Sequence, residues 1–508
     1  MSTDYVTDVT CYRSFVGDLS PAKLRLVAAI NGFPMPPGED FDYCELGSAH
    51  GDTVSVLAAS NPRARFIGVD VNAAHIASSH RLAREGKLDN LRFVERDFEE
   101  LDHEPIPDLD FIAAHGVLSW IGPAKRKALV DFASRKLKPG GLLYVGYNAL
   151  PGWSAVEPLR QLLLTGGAGA KDDTMERARL GFALAKHMHD AGAMYFTANP
   201  SATAMLKRME ELGLPYIAHE YLNANWTPMY FSQMARELSE ADLYFVGQST
   251  LYANYRDLAV PPVLAKLFEG ISDRGMYESF KDFALNEFFR RDVFIKGRTG
   301  RSPEAVRAYF DSTSFGLLHS FPVPEFRLPH GTLTFEGPLF EALFATLAEG
   351  GAATESTLVA HPKLEAFGAE NVRAALLRAL LTERAAPMPS ASRPFSEKES
   401  WRVGLDYNRM ILRQGPRPEI PLVLASPITG TGVSISPLEV LAIRLLAEVP
   451  PSKWQEWIRD LFVQHAYRIV VGGRAVEGAD EGVRLVLAEV TRFRRSRLRS
   501  FVEWGILE

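Results

Sequence analysis

Short apolar runs alternate with amphipathic stretches along the first part of the chain. The runs have the length and composition of buried strands, and they lie at residues 41–46, 65–70, 91–94, 110–114 and 142–147. The stretches have helical spacing and lie at residues 53–60, 73–85 and 124–137. One more helix is expected before the first strand, because Ser20 is a suitable N-cap and Pro21 suits a first helical turn. This alternation predicts an α/β, doubly wound fold, in which helices cover both faces of a parallel sheet.

The pattern changes after residue 148 and predicts a helical insertion at about residues 151–218. An amphipathic helix at 231–240 and a strand at 243–246 then continue the sheet. We therefore expect the first domain to occupy residues 1–255.

The rest of the chain predicts smaller units. Residues 256–305 have the pattern of a helical middle segment. Residues 306–395 combine short helices, a tight turn and a longer helix, which is typical of a winged-helix-like unit. Residues 396–508 form a C-terminal unit with a similar order of elements and without a strict sequence repeat.

Composition narrows the class of protein. The 508 residues are enough for about three or four domains. Their 46% hydrophobic and 23% charged content is typical of packed globular domains. The net charge of -6 creates no general attraction for phosphate backbones, so we expect no nucleic-acid partner.

Residues 1–15 lack the pattern of a secretory signal, and no run approaches the roughly 20 apolar residues that a membrane span needs. The cysteines, Cys11 and Cys44, are too few for a disulfide framework or a four-sulfur zinc site, and we expect no metal. The sequence therefore predicts a cytoplasmic protein in which Cys44 is an inert strand residue.

A glycine turn follows the first predicted strand, with the sequence Glu45-Leu46-Gly47-Ser48-Ala49-His50-Gly51. Backbone N–H groups of such a turn bind nucleotide-like ligands at the carboxyl end of a parallel strand. The turn has neither the G-x-G-x-x-G pattern of dinucleotide sites nor the G-x-x-x-x-G-K-[ST] pattern of nucleoside triphosphate sites. Glu45 would repel a pyrophosphate but would offset the positive charges of S-adenosylmethionine. We expect this cofactor to contact Glu45, Gly47, Ser48, Ala49 and Gly51.

Acidic residues after the next two strands fit the same cofactor. Asp70 ends the second strand and can accept hydrogen bonds from ribose hydroxyls, with Val71 as a neighbouring contact. Asp97 follows the third strand and can accept a hydrogen bond from the adenine amino group, while Phe98 covers the ring. Each position is a weak signal alone, but their order and spacing together predict an S-adenosylmethionine site.

Two loops must border the methyl group if the sheet is wound as predicted. The first contains His115, which is a candidate cofactor contact and general base, although a packed structural histidine explains it equally well. The second contains Asn148 and Pro151, whose spacing is similar to the Asn-Pro-Pro-Tyr motif of amino methyltransferases. That motif follows the fourth strand and this one follows the fifth, so we do not assign it the same role.

Segments along nearly the full chain resemble one family. They are residues 45–47, 114–120, 147–153, 218–231, 289–293, 408–412 and 424–430. In these segments the chain is similar to the bacterial protein lysine methyltransferases known from rickettsiae, which carry a methyltransferase regulatory domain. The resemblance implies a homodimer formed largely through the inserted helices and methyl transfer to lysine side chains of bacterial surface proteins. The chain departs from the family at residues 48–50, where Cys or Gly residues are frequent.

A lysine acceptor must lose a proton before it attacks the methyl group, at a cost of about 4 to 5 kcal/mol at pH 7. A dry pocket lowers that cost, and aromatic faces tolerate the positive charges of cofactor and product. The candidates to line such an acceptor channel are Tyr147, Trp153, Tyr221 and Trp226.

Two other functions stay open. The first is a small-molecule methyltransferase in which the inserted helices form a lid over the acceptor. The second is a non-catalytic adaptor that binds cofactor and acts through its C-terminal units, for example toward nucleic acid. The basic side chains for that role would be Arg492, Arg494, Arg495, Arg497 and Arg499, a run that a solvated helix face explains better.

Overall fold

The computed structural model describes residues 9, 13–36, 38–170, 173–318, 324–414, 422–463, 470–471, 474–476 and 478–508. Cys11 and most of the segment 1–15, for which the sequence predicts no signal, lie outside these residues. None of the helices in the described ranges is both long and apolar enough to cross a membrane.

A seven-stranded sheet forms the centre of the first domain. Its strands are β1 (Asp42–Leu46), β2 (Arg65–Asp70), β3 (Leu91–Glu95), β4 (Leu109–His115), β5 (Leu137–Asn148), β6 (Leu243–Gln248) and β7 (Phe289–Lys296). They lie in the order β3-β2-β1-β4-β5-β7-β6, and β7 runs antiparallel to both of its neighbours. The order reverses between β1 and β4, which is where open α/β sheets bind ligands at their carboxyl ends.

Helices cover both faces of this sheet, as the sequence predicts. The first four are α1 (Pro21–Ile30), α2 (Asp52–Ser60), α3 (Ala73–Glu85) and α4 (Pro123–Lys136). The Ser20 hydroxyl caps α1 by accepting a hydrogen bond from the Lys23 N–H. Successive residues of β1 enter opposite cores, Tyr43 on one face and Cys44 on the other, so both faces are buried. Cys44 is a fully buried free thiol, in agreement with its predicted inert role.

The helical insertion follows β5 and has a core of its own. Its helices are α5 (Glu157–Gly167), α6 (Thr174–Asp190), α7 (Met194–Ala198), α8 (Pro200–Leu212) and α9 (Leu214–Tyr221). The first two pack backbone to backbone, because a Cβ at Gly181 would lie 2.3 Å from the Leu163 carbonyl oxygen. The buried side chains of the insertion form a cluster separate from the two cores of the sheet.

The expectation that the first domain closes near residue 255 is wrong. After α10 (Phe231–Glu240) and β6 come α11 (Arg256–Ala259), α12 (Ala265–Glu269) and α13 (Arg274–Leu285), and then β7 enters the sheet between β5 and β6. The segment 256–305 therefore contains an interior strand of the sheet and is not a separate helical unit. Its charged residues conceal the strand, since Arg290 and Asp292 are fully buried and bonded to each other at 2.9 Å.

Two further units follow the sheet. The first contains α14 (Pro303–Ser312), β8 (Ser314–Leu317), β9 (Glu325–Leu328), β10 (Gly331–Thr334), α15 (Pro338–Gly350), α16 (Glu355–Val359), α17 (Pro362–Glu365), α18 (Ala369–Leu381) and β11 (Ala385–Met388). The second contains α19 (Asp406–Gln414), β12 (Val423–Ser426), β13 (Thr431–Ser434), α20 (Pro437–Glu448), α21 (Trp454–Val463), β14 (Val470–Val471), β15 (Arg474–Ala475), α22 (Ala479–Ser496) and α23 (Leu498–Glu503). Their assignment as winged-helix-like units stays a prediction.

The C-terminal unit packs directly on α2. The Ser60 hydroxyl donates to the Thr431 carbonyl at 3.0 Å, and the Asn61 amide donates to the Gly430 carbonyl at 3.0 Å. All nine residues of α2 are buried, because the sheet covers one side of this helix and the β12–β13 hairpin covers the other. The helix that follows the glycine turn is thus held between two units of the chain.

Candidate functional site

The glycine turn at residues 47–51 connects β1 to α2 at the reversal point of the sheet. The Gly47 and Ser48 N–H groups donate to the Val69 carbonyl at 2.8 and 2.9 Å. Gly47 has a φ of +77°, and a Cβ there would lie 2.5 Å from Val117 Cγ2. Gly47 must therefore be glycine both for its backbone conformation and for the close approach of the β4 loop.

Glu45 lies under this turn, and its carboxylate accepts a backbone hydrogen bond from Val54. Its side chain is buried, and Oε2 has no hydrogen-bond partner among the residues that the structure describes. Burial raises the pKa of Glu45 to about 8, and the nearby carboxylates of Asp52 and Asp70 contribute to the rise. A cationic ligand would supply the missing partner, so the site fits the positive charges of S-adenosylmethionine.

Asp70 joins the ends of two elements of the site. One oxygen accepts the Ala49 N–H at 2.8 Å, and the other accepts the Asn72 N–H at 2.9 Å. A ring nitrogen of the buried His75 lies 3.4 Å from the same carboxylate. Asp70 therefore shapes the glycine turn in addition to the ribose contact predicted for it. Val71, beside it, is 47% exposed and presents an apolar surface at the same edge.

The predicted adenine contacts lie after β3. Asp97 accepts the Glu99 N–H at 3.4 Å and forms an ion pair with Lys125. Phe98 is half-buried and packs against the core of the sheet. The ion pair already occupies one Asp97 oxygen, and contact of either residue with adenine stays a prediction.

His115 ends β4 and is half-buried. Its Nδ1 and the Tyr144 hydroxyl are hydrogen-bonded at 2.9 Å, and its ring lies 5.2 Å from the Phe289 ring. Burial, followed by the positive charge of Arg291, lowers the pKa of His115 to about 4. The imidazole is therefore neutral at physiological pH, where it can accept or donate a hydrogen bond.

The predicted acceptor channel needs correction at Tyr147. This residue is fully buried, and its hydroxyl donates to Asp292 at 2.7 Å inside the protein. Trp153, Tyr221 and Trp226 do lie together, with ring centroids 5.9 and 5.2 Å from Trp153. Tyr221 is fully buried and Trp153 is 5% exposed, so both belong to the core of the insertion and do not line an open channel. Trp226 is half-buried, and its role in the acceptor channel stays a prediction.

A pair of side chains lies beside His115, and of the two the sequence placed only Asn148 near the methyl group, without assigning it a role. Asn148 ends β5 and pairs across the sheet with Phe289 of β7, and directly opposed residues share one face of a sheet. The Phe289 ring contacts His115, so Asn148 lies on the face of the sheet that carries His115. Asn148 is 2% exposed, and its side-chain nitrogen has no partner within the described chain. The sequence pattern does not predict β7, so the pairing of Asn148 with Phe289 could not be foreseen.

A neutral histidine and an unsatisfied amide thus lie at the ends of β4 and β5, next to a turn that fits a cationic nucleoside. A Rossmann-like sheet with this arrangement defines an S-adenosylmethionine-dependent methyltransferase.

Family models agree with that class. A model described as methyltransferase domain matches residues 44–143, and one described as predicted methyltransferase regulatory domain matches residues 214–296. The chain is an S-adenosylmethionine-dependent methyltransferase with both of these domains. The regulatory segment supplies β6 and β7, so it completes the methyltransferase sheet.

The similarity to some known proteins covers nearly the full length of this chain. An uncharacterized protein of Synechocystis sp. is 29% identical over 507 residues, which is 99% of each chain. An uncharacterized protein of Rickettsia prowazekii is 25% identical over 274 residues, 53% of this chain and 49% of that protein. PKMT2 from Rickettsia typhi shares the fold, with a TM-score of 0.74 at 17% identity, over 98% of this chain and 100% of that one. A second structure of PKMT2 is in complex with AdoHcy. It matches with the same TM-score and identity, over 98% of this chain and 99% of that one.

Proposed function

We propose that the chain transfers methyl groups from S-adenosylmethionine to lysine side chains of a protein substrate. The observation that carries this proposal is the shared architecture with PKMT2, whose name denotes a protein lysine methyltransferase, over 98% of the chain. The likeness includes the insertion and the C-terminal units, which lie outside the generic methyltransferase sheet. The bacterial surface protein implied by the sequence resemblance is the first substrate to test.

The acceptor side of the site supports this chemistry. Glu45, Asp70 and the glycine turn would hold the cofactor, which supplies an electrophilic methyl group when it is bound. His115 and Phe289 are half-buried with their rings 5.2 Å apart, and a partly desolvated place of this kind lowers the pKa of an entering amine. A neutral amine is the form that attacks a methyl group.

The Asn148 amide would orient this acceptor. Its buried side-chain nitrogen has no partner among the residues that the structure describes, and an entering amine or peptide group would provide one. Orientation of reacting groups lowers the barrier without a charged catalytic base. Asn148 and the neutral His115 imidazole are therefore the polar groups that we place on the acceptor side.

A small-molecule methyltransferase is the second candidate. The chain that follows the insertion helices crosses the loop after β4 and the end of β5. The Thr227 N–H donates to the Ser119 carbonyl at 2.8 Å, and the Met229 N–H donates to the Asn148 carbonyl at 3.0 Å. This segment could cover a compact acceptor as a lid.

Incubation with methyl-labelled cofactor and host-cell lysate separates the candidates. Label in the protein fraction supports the proposal, and label in the small-molecule fraction supports the lid. No incorporation by protein that binds cofactor would support the non-catalytic adaptor.

We also propose that the insertion forms the homodimer that the sequence resemblance implies. Met194 is 80% exposed and Leu212 is 49% exposed, although both are large apolar side chains. Light scattering during size-exclusion chromatography should give a dimer for the native chain and a monomer after Met194→Glu and Leu212→Glu together. A monomeric native chain, or a dimer that survives both changes, would contradict this surface.

A further inference from the structure

A cavity of about 260 Å³ lies between the two units that follow the sheet. Its walls come from β8, α15 and β11 of one unit and from α22 and α23 of the other. Junctions between folded units are common places for small-molecule sites, and this volume suits a ligand at the small end of their range. None of the residues assigned to the cofactor or the acceptor lines this cavity.

The cavity combines an apolar floor with two arginines. Leu317, Leu347, Met388 and Trp504 are buried side chains that form the floor. Arg495 and Arg499 are exposed and lie in the same wall. A ligand that fits must therefore have an apolar body and a polar group that guanidinium binds.

The two arginines differ in their contacts. Arg499 donates to Glu503 at 2.7 Å and to the Glu349 carbonyl at 2.7 Å, so protein groups fix its position. The Arg495 side chain forms no hydrogen bond, ion pair or ring contact with any residue in the described ranges. The side chains of the other arginines between residues 492 and 499 contact protein groups. Arg492 and Arg497 pair with Glu439 at 3.6 and 3.0 Å, and Arg494 lies 5.7 Å from the Trp454 ring centroid.

The charges of the cavity define the ligand further. Two guanidinium groups and the Glu503 carboxylate leave one uncompensated positive charge in the lining. Guanidinium binds carboxylates and related oxyanions through paired, charge-assisted hydrogen bonds. One negative charge on the ligand would neutralise the lining. A second negative charge on the ligand would be repelled by the Glu503 carboxylate.

We propose that this cavity binds a small apolar monoanion of the carboxylate or sulfonate type, with Arg495 as the residue that recognises the charge. The site is independent of the methyl-transfer function proposed above, and its test does not depend on activity.

Fluorescence of 8-anilinonaphthalene-1-sulfonate tests the proposal directly. The full-length protein, saturated with AdoHcy to fill the cofactor site, should bind this probe in one saturable step that octanoate reverses. The neutral alcohol 1-octanol should compete at least tenfold more weakly than octanoate. Arg495→Gln should weaken probe binding about tenfold or more, as expected for the loss of hydrogen bonds to a charged group.

Matched variants make the result specific. Arg494→Gln removes a neighbouring exposed arginine that does not line the cavity, and it should leave binding within twofold of the native value. Ala348→Phe fills the cavity from α15 and should abolish the saturable step, while thermal melts confirm that each variant is folded. Equal competition by octanol, an unchanged affinity in Arg495→Gln, or saturable binding that persists in Ala348→Phe would each overturn the proposal.

Discussion

Burial of Glu45 makes cofactor binding depend on pH. With a pKa of about 8, this carboxyl group is largely protonated at pH 7 before the cation arrives. Binding of S-adenosylmethionine favours the ionised form, so it should release a proton, and affinity should rise about tenfold per pH unit below the raised pKa. Calorimetric titrations between pH 6 and pH 9 measure both quantities.

Two controls isolate the Glu45 effect. AdoHcy lacks the sulfonium charge and should show a smaller dependence on pH. In Glu45→Gln the dependence should disappear and the affinity for S-adenosylmethionine should fall. Affinity that is independent of pH in the native protein would show that Glu45 does not face the cation.

Asn148 gives a second prediction at the residue scale. Its side-chain nitrogen, which has no partner among the described residues, lies where we propose that the acceptor enters, so Asn148→Ala should reduce turnover about tenfold or more, in line with the loss of an orienting contact. The affinity for AdoHcy should stay within twofold, because the turn and Asp70 are unchanged. An equal loss of turnover and AdoHcy affinity would place Asn148 in the cofactor site or in the folding core instead.

At the scale of elements, a buried charge cluster joins β7 to α13. Arg290 donates to Glu278 at 2.9 Å, to Asp282 at 2.5 Å and to Asp292 at 2.9 Å, and all four side chains are almost fully buried. Burial alone would raise the pKa of Glu278, but Lys281 and Arg290 lower it to about 2. Lys281 would still pair with Glu278 in Arg290→Ala, but Asp282 and Asp292 would lose their buried cationic partner, and that loss should cost about 3 to 5 kcal/mol of stability.

Thermal and urea unfolding of the Arg290→Ala variant check this value. Arg298→Ala is the control, because Arg298 lies just beyond β7 and is exposed to solvent. A variant as stable as the native protein would mean that the cluster does not hold β7 in place.

The same cluster explains how far the elements could be predicted. The strands β1 to β4 follow from their apolar runs, and Cys44 and Ile67 are buried as such runs require. The charges of β7 suggest a surface segment, because only the packed structure pairs Arg290 with carboxylates that come from α13. The local pattern of apolar residues therefore predicts strands that consist of apolar side chains. It does not predict a strand whose buried charges are paired with residues far away in the sequence.

At the scale of the whole molecule, the C-terminal unit supports the cofactor site through α2. A Cβ at Gly432 would lie 2.7 Å from Val56 Cγ1 and 2.5 Å from Val423 Cγ1, so Gly432→Ala should displace the hairpin. Overpacking of this kind costs about 1 to 3 kcal/mol, and we expect a lower melting temperature together with weaker AdoHcy binding. Gly350→Ala is the control, since a Cβ there meets no atom within 4 Å. Unchanged AdoHcy affinity in a destabilised Gly432→Ala variant would show that the hairpin does not support the turn.

Distance along the chain also limits how much of the site the sequence reveals. Glu45, the glycine turn and Asp70 lie within one strand-helix-strand unit, where spacing alone predicts their proximity. Asn148 and Phe289 meet only through the β5–β7 pairing, and Tyr147 turns away toward Asp292 because that strand is present. Local sequence order is therefore enough to predict the residues proposed for the cofactor. The residues proposed for the acceptor come together only through long-range strand pairing.

Protein lysine methylation is the central claim, and the chemical identity of the methylated group tests it most directly. Host-cell protein labelled by the native enzyme with methyl-labelled cofactor is hydrolysed in acid, and the amino acids are separated. The label should appear in Nε-methylated lysine and should be absent when Asp70→Ala replaces the native enzyme. Label in any other amino acid, or only in small molecules, would contradict the account.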